Sequence, residues 1–240
     1  MKILDDILST LDFDAEVRDI RQGVFQTAVV TRRCGLAATL LDPGPHQEVP
    51  PVKAAGALSE KSALELAQMA YSSTLLEATI GMAAINSLLE IDEARCAPLN
   101  GRDLLAEKGK GKGVAIIGHF PFVPQLRQIA RELWVIEKKP QEGDLPEVEM
   151  ERWLPRADVV GITGTALTNH TIEDLLRLCR PDAFVALLGG TAPLSPVLFA
   201  YGVDAISGTR VVDVGAVLLS VSQGATYRQL KGVQRLTMVR

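Results

Sequence analysis

The stretch Val114–Pro124 constrains the fold most, because it joins four uncharged apolar residues to a glycine, a histidine and two prolines. A short unbroken apolar run is typical of a strand buried on both faces, as in a parallel sheet. Gly118 breaks the run, and Pro121 can open a following helix because the first helical residue needs no N–H. Residues 125–133 carry apolar side chains at helical spacing. The stretch therefore predicts strand, tight turn and helix, and ligands of open α/β sheets bind where such turns leave the strands.

After this stretch, apolar runs and helical patterns alternate to the end of the chain. The predicted strands are residues 114–118, 133–137, 157–163, 183–188 and 203–207, with an edge strand at 233–239. The predicted helices lie near residues 125–132, 171–178 and 211–221. Such alternation indicates a doubly wound parallel sheet with right-handed crossovers, that is, a Rossmann-like domain in an α/β protein.

The first hundred residues have a different order, with strands first and helices after them. A short helix at 2–11 is followed by strands at 16–21, 25–31 and 36–41, and Asp42–Pro45 ends the third strand. Helices are predicted at 62–71 and 73–89, the second with Ser73 as its N-cap. Short links favour an antiparallel meander, so this part predicts a small α+β domain.

Alternating glycines and lysines at residues 107–113 mark the clearest shift in composition. This segment has no apolar face, which is typical of a solvated linker. We therefore predict an N-terminal domain at 1–106, a linker at 107–113 and a Rossmann-like domain at 114–240. Phosphate binding by the lysines is the alternative, but the P-loop spacing is absent because Gly113 follows Lys112.

Composition excludes several classes of function. The net charge is −4 and no long basic stripe is present, so nucleic acid is not an expected partner. The N-terminus lacks the apolar core of a signal peptide, so none is expected. Glycines and prolines interrupt the uncharged run at 183–203, so no membrane span is expected there. The cysteines are few, scattered and odd in number, as in reduced cytoplasmic proteins. We expect a cytoplasmic protein.

The turn after the first strand of the Rossmann-like part lies where a dinucleotide fingerprint would be. The GxGxxG pattern is missing, because Phe120 fills the place of the second glycine, which argues against ordinary NAD binding. Gly118, Phe120 and Pro121 remain candidate ligand-binding residues, since amides at a helix start can hold an anion. Glu137 ends the next strand, about 20 residues after Gly118, where an acid can accept ribose hydroxyls. The alternative for Glu137 is a solvated carboxylate at a strand end.

Two further loops follow strands of the predicted sheet. Short polar side chains and a glycine crowd the loop after the third strand, and they make a candidate oxyanion or carboxylate site. These candidate residues are Thr163, Gly164, Thr165, Asn169 and His170. Helix capping by Thr171 with Asp174 explains part of the cluster. After the fourth strand, Gly189, Gly190 and Thr191 form either an ordinary turn or a close approach to a ligand.

The histidines and cysteines of the chain do not have the spacing of a metal-binding site. His119 and His170 both follow strands and either converge or are unrelated loop residues, while His46 lies in the N-terminal part. HxH, HExxH and CxxC spacings are absent. Glu137 with the two later histidines would be a reasonable iron or zinc site, but it requires three independent loops to point inward. We predict no metal ligands in this chain.

Several motifs together resemble a family of unknown function described as "putative heavy-metal chelation". They are Ile117–Phe122, Glu137, Gly143–Pro146, Leu154–Asp158, Thr163–Thr165 with Asn169–Thr171, and Phe199–Asp204. The chain departs from the family at Leu188–Thr191, where Gly-Pro-Ser is usual. The resemblance implies an enolase N-terminal-like domain joined to a Rossmann-like domain, with a cleft between them. It also implies condensation or hydrolysis of small molecules related to pterins, flavins or metal chelators.

Two hypotheses about function follow. The first is an enzyme in which Glu137 orients ligand hydroxyls or acts as general base, His119 donates a proton, and Asn169 with Thr165 holds an oxyanion. The second is a non-catalytic binding protein for a metal–chelator complex or a small anionic ligand. Both expect a small-molecule ligand, both are compatible with a homo-oligomer, and the sequence identifies no cofactor.

Overall fold

A computed structural model gives the fold and describes residues 1–41 and 50–240. The predicted strand end at Asp42–Pro45 and the histidine His46 lie outside the described residues. The described chain forms a three-stranded sheet near its N-terminus and an eight-stranded sheet after it. The mixed α/β class predicted from the sequence is confirmed.

The N-terminal part is an antiparallel meander followed by helices, as predicted. Val30 pairs with Cys34, so the link 31–33 between the second and third strands is tight. The elements are α1 (Lys2–Leu8), β1 (Asp19–Gln22), β2 (Gln26–Val30), β3 (Cys34–Ala38), α2 (Ala63–Gln68) and α3 (Leu75–Leu88). A capping box between Ser62 and Glu65 starts α2. The prediction that Ser73 caps the next helix is wrong by one residue, because Thr74 is the N-cap of α3.

The C-terminal part carries the eight-stranded sheet. Its strands are β4 (Cys96–Ala97), β5 (Gly113–Ile117), β6 (Glu132–Glu137), β7 (Leu145–Pro146), β8 (Val159–Thr163), β9 (Phe184–Leu188), β10 (Ala205–Val211) and β11 (Val233–Val239). Its helices are α4 (Gly101–Gly109), α5 (Val123–Ile129), α6 (Met150–Trp153), α7 (Thr165–Thr168), α8 (Ile172–Leu178) and α9 (Val214–Ser222). The strand order is β4-β11-β10-β9-β8-β5-β6-β7, and all neighbours from β10 to β7 are parallel.

This order is doubly wound around β5. The chain runs from β5 outwards through β6 to β7, then crosses to the other side of β5 and continues through β8, β9 and β10. One face of the sheet packs on α4 and α5, through residues such as Leu105 and Leu126. The opposite face packs on α8 and on α3 of the N-terminal part. Helices on both faces confirm the predicted architecture, and the winding reverses between β5 and β8.

Three local predictions are wrong for identifiable reasons. The linker prediction fails for residues 107–109, which form the last turn of α4, where Gly109 lies against Val114 and a Cβ would come within 2.8 Å of a Val114 methyl. Pro121 does not open α5, because the helix begins at Val123 with Pro124 in its first turn. β11 is not an edge strand, because the two-residue strand β4 pairs with Met238 and Thr237.

The N-terminal part packs directly on the large sheet through one continuous core. The hydroxyl of Thr191 accepts a hydrogen bond of 2.9 Å from the backbone N–H of Ala38, and Asn86 donates to the carbonyl of Thr191 at 3.1 Å. These bonds fix the loop after β9 onto β3 and α3. Among the described residues, no helix is long and apolar enough to cross a membrane.

Candidate functional site

A cavity of about 190 Å³ lies at the carboxyl ends of β5, β6 and β8, where the winding of the sheet reverses. This is the position at which open α/β sheets bind their ligands. We call it the switch-point cavity. Seven candidate residues from the sequence line it, namely Gly118, His119, Phe120, Glu137, Thr163, Thr165 and Asn169. The fold therefore brings together the turn after β5, the end of β6 and the loop after β8.

Gly118 makes the turn that exposes the next residues to this cavity. Its φ is +100°, a conformation that side chains with a Cβ rarely adopt. A Cβ at this position would also lie 3.2 Å from Cβ of Thr163 on the neighbouring strand. The turn therefore requires glycine, and it places the backbone of His119 against the end of β6.

Glu137 fastens this turn to β6. One carboxylate oxygen accepts the backbone N–H of His119 at 2.9 Å, and the other accepts the backbone N–H of Lys138 at 2.7 Å. Each carboxylate oxygen has a second lone pair, so Glu137 can still accept a hydrogen bond from a ligand hydroxyl. Lys138 and Glu147, which form an ion pair of 3.6 Å, also line the cavity and were not predicted.

His119 is held by the carboxylate of Asp144, which belongs to the motif Gly143–Pro146 but was not predicted as a site residue. Its ring Nδ1 lies 2.8 Å from a carboxylate oxygen of Asp144. The side chain of Asp144 is only 1% exposed, whereas that of His119 is 29% exposed. The same Asp144 oxygen accepts the backbone N–H of Gln141 at 3.1 Å. A buried carboxylate on Nδ1 fixes the orientation of the imidazole and leaves Nε2 for another partner.

Threonine and asparagine side chains form the opposite wall of the switch-point cavity. The hydroxyls of Thr163 and Thr165 share a hydrogen bond of 2.9 Å. The carbonyl oxygen of Asn169 accepts the hydroxyl of Thr171 at 2.7 Å, so the capping box expected between Thr171 and Asp174 does not form. Among the described residues, the amide nitrogen of Asn169 has no acceptor and can donate to a ligand.

Three other candidate residues have structural contacts instead of lining this cavity. Nε2 of His170 lies 2.7 Å from the carbonyl oxygen of Ala70, and the backbone φ of His170 is +62°. Thr191 is 2% exposed and holds β3, as described above. A Cβ on Gly164 would lie 2.5 Å from the backbone nitrogen of Ala192, so this glycine permits a close backbone contact. The structure therefore does not place His170 beside His119 in the switch-point cavity.

The last three candidates belong to a neighbouring cavity. Pro121 and Gly189 line that space together with Phe120, which also lines the switch-point cavity. Gly190 lies beside it, and a Cβ there would be 2.8 Å from the ring of Tyr227. All residues that line the two cavities fall between positions 99 and 236. The cleft between domains that the family resemblance implies remains a prediction.

The described residues contain no group of three histidine, cysteine or acidic side chains placed to hold a metal ion. Burial raises the pKa of the thiols of Cys34 and Cys179 to about 12. Burial also raises the pKa of Cys96, and the nearby carboxylates of Asp92 and Glu93 add to this effect. Metals bind the thiolate form, so these three cysteines are poor ligands at neutral pH.

We expect purified protein to retain well below one zinc or iron ion per chain after exposure to the metal and dialysis. The reason is that tight side-chain sites need three or four converging ligands. Metal content measured by mass spectrometry checks this, with buffer carried through the same dialysis as the blank. Stoichiometric retention that is lost in the double variant His119→Ala, His170→Ala would make the protein itself the chelator.

Comparison with known proteins gives the family context. Residues 100–240 match the DUF364 family model and residues 4–89 match the DUF4213 model, both described as "Putative heavy-metal chelation". An uncharacterized protein of Methanocaldococcus jannaschii is 30% identical over 184 residues, which is 73% of this chain and 70% of that protein.

Two solved structures of DUF364 proteins of unknown function have the same fold. The protein from Desulfitobacterium hafniense DCB-2 matches with a TM-score of 0.84 and 26% identity, and the one from Pyrococcus horikoshii with 0.82 and 21%. Each match covers 100% of this chain and 98% of the other. Because the first family model alone matches more than half of the sequence, this chain belongs to the DUF364 family, described as "Putative heavy-metal chelation".

Proposed function

We propose that this protein is an enzyme that converts a small polar, anionic metabolite in the switch-point cavity. The single observation that carries the proposal is the contact of 2.8 Å between His119 and the buried carboxylate of Asp144. An imidazole oriented by a carboxylate is suited to general acid–base catalysis, and this supports an enzyme over a protein that only holds a ligand. The family description supports a link to metal chelators. Condensation or hydrolysis of a chelator-, pterin- or flavin-type molecule is the finer part of this proposal.

Each wall of the cavity has a role in this proposal. His119 transfers the proton through Nε2, and Asp144 orients it without touching the substrate. Glu137 holds the turn and orients substrate hydroxyls. Thr165 and Asn169 donate hydrogen bonds to a carboxylate or to an oxyanion that develops during the reaction.

The size of the cavity limits the substrate. Its volume of about 190 Å³ is below the range of about 300–1,000 Å³ that is typical of sites for drug-sized ligands. A small acid or one end of a larger molecule fits such a space. In this proposal the protein makes or breaks down a chelator and does not bind the metal with its own side chains.

The direct test is a search for turnover. Purified protein is incubated with a metabolite extract of its own host, and all ions are followed by mass spectrometry. We expect the signal of at least one metabolite to decrease. The signal of a second compound, which differs from it by loss or gain of water or by joining of two molecules, should increase. Protein inactivated by heat is the blank.

The second candidate function is a binding protein for a metal–chelator complex or a small anionic ligand. The observation that favours it is that both carboxylate oxygens of Glu137 already accept backbone N–H groups, so the site is rigid before any ligand arrives. Native mass spectrometry of protein from its host would show a bound ligand in both cases. A ligand that is bound and recovered unchanged, with no ion altered in the extract, supports this second function.

The remaining features belong to the proposal as well. It involves a small-molecule ligand, with neither nucleic acid nor a membrane as partner, in a protein of the cytoplasm. It names no cofactor, and it is compatible with a homo-oligomer.

A further inference from the structure

A second cavity of about 480 Å³ lies beside the switch-point cavity, at the carboxyl end of β9 and the middle of β10. Phe120 lines both spaces. The start of α4, the turn before α5 and the loop at 227–228 supply the other walls. We call this space the arginine cavity, because Arg102, Arg228 and Arg235 line it. Its volume is within the range of small-molecule sites.

The walls of the arginine cavity suit a flat ring. The rings of Phe120 and Phe122 stack with their centroids 5.0 Å apart and their planes at 21°. Leu188 and Leu236 are 3% and 5% exposed and form an apolar surface. The ring of Tyr227 packs on Gly190, and its hydroxyl shares a hydrogen bond of 2.7 Å with Thr209, which fixes the ring in place. Fixed aromatic side chains favour aromatic ligands through offset stacking.

The positive charge of the arginine cavity favours a ligand that carries an anionic group beside its ring. Three arginines line it, and none of its lining residues is acidic, although the chain as a whole has a net charge of −4. Arg102 pairs with Asp103 at 2.8 Å, outside the lining. The guanidinium of Arg235 lies 5.3 Å from the centroid of the Tyr227 ring. Among the described residues, Arg228 and Arg235 have no carboxylate within ion-pair distance, so both can bind an anion.

We propose that the arginine cavity binds a planar aromatic or heteroaromatic carboxylate. The ring lies between the phenylalanine pair and the leucines, and the carboxylate faces Arg228 and Arg235. Guanidinium groups bind carboxylates through paired hydrogen bonds, and they also stack on aromatic rings. This inference concerns binding alone, and it does not rest on the acid–base chemistry proposed for His119.

Calorimetric titration with naphthalene-2-carboxylate tests the proposal, with naphthalene-2-carboxamide as the neutral match and cyclohexanecarboxylate as the non-aromatic match. We expect the aromatic acid to bind at least about tenfold more tightly than either, because it alone uses both the arginines and the rings. Equal affinity for the acid and the amide would overturn the role of the arginines. Equal affinity for the two acids would overturn the role of the rings.

Substitutions locate the binding. The double variant Arg228→Gln, Arg235→Gln should weaken binding of naphthalene-2-carboxylate by about tenfold or more. The control is Arg177→Gln, because Arg177 is 73% exposed on α8 and does not line the cavity. His119→Gln should leave the affinity unchanged, which separates this site from the proposed enzyme site. Unchanged affinity in the double arginine variant, with folding verified by circular dichroism, would place the ligand elsewhere and contradict the proposal.

Discussion

The variant Asp144→Asn is expected to turn over substrate at least about a hundredfold more slowly than the wild type, with little change in KM. Asp144 is buried and contacts Nδ1 of His119, so it acts on the reaction through the imidazole. An asparagine amide can donate to Nδ1, which would favour the tautomer with its proton on Nε2. The imidazole would then be unable to accept a proton from the substrate, although the cavity keeps its shape.

Two measurements separate this positioning role from a general loss of structure. The ¹⁵N chemical shifts of the His119 ring report its tautomer, which should change in Asp144→Asn, and thermal unfolding reports stability. The control is Asp182→Asn, because Asp182 is 75% exposed, pairs with Arg180 and does not line the cavity. If Asp144→Asn has the turnover of the wild type, the proposed role of the carboxylate is wrong.

The second large effect is expected from Gly35→Ala, which should lower the free energy of unfolding by about 3 kcal/mol or more. β3 lies directly on the backbone of α3 at this point. A Cβ on Gly35 would be 2.1 Å from the carbonyl oxygen of Ala83 and 2.3 Å from the backbone nitrogen of Ser87. Backbone atoms within a buried helix cannot move aside as a flexible side chain can, so the strand must separate from the helix.

Gly215→Ala is the matched control for this substitution. Gly215 lies in the first turn of α9, where the nearest atom to a Cβ would be 3.6 Å away, an ordinary contact. Alanine is favoured over glycine in helices by about 1 kcal/mol, so this variant should be as stable as the wild type or more stable. Chemical denaturation of both variants checks the pair. Equal stability of Gly35→Ala and Gly215→Ala would contradict the close approach of β3 to α3.

The large sheet was predictable because apolar runs mark buried parallel strands. The predicted strands from 114–118 to 203–207 overlap β5, β6, β8, β9 and β10, although those at 157 and 203 begin two residues too early. The order of the strands in the sheet was not predicted. The short strand β4 was not predictable, since two residues carry no periodic pattern. The whole of α4 was missed, because its last residues, Glu107–Gly109, were interpreted as the start of a linker and no helix was predicted before them. Burial of Leu104 and Leu105 holds this helix on the sheet.

The site residues that lie at the ends of predicted strands could be identified from the sequence. His119, Glu137 and Thr165 follow strands that the topology brings to one edge, so their convergence could be expected. Asp144 lies in the motif Gly143–Pro146, but its contact with His119 was missed because it lies 25 residues after His119, in a loop before a two-residue strand. His170 follows a strand as well, but its φ and its contact with Ala70 direct it to the N-terminal part. Such contacts depend on packing between units, which the pattern of one segment does not contain.

The role of His119 in turnover is tested by the variant His119→Gln in the metabolite assay. Both the wild type and the variant are dialysed against a chelator before incubation with the host extract, so that added metal plays no part. We expect the wild type to deplete one metabolite and form a product, whereas His119→Gln binds the same metabolite and leaves it unchanged. Depletion of that metabolite at equal rates by both proteins would contradict a catalytic role for His119.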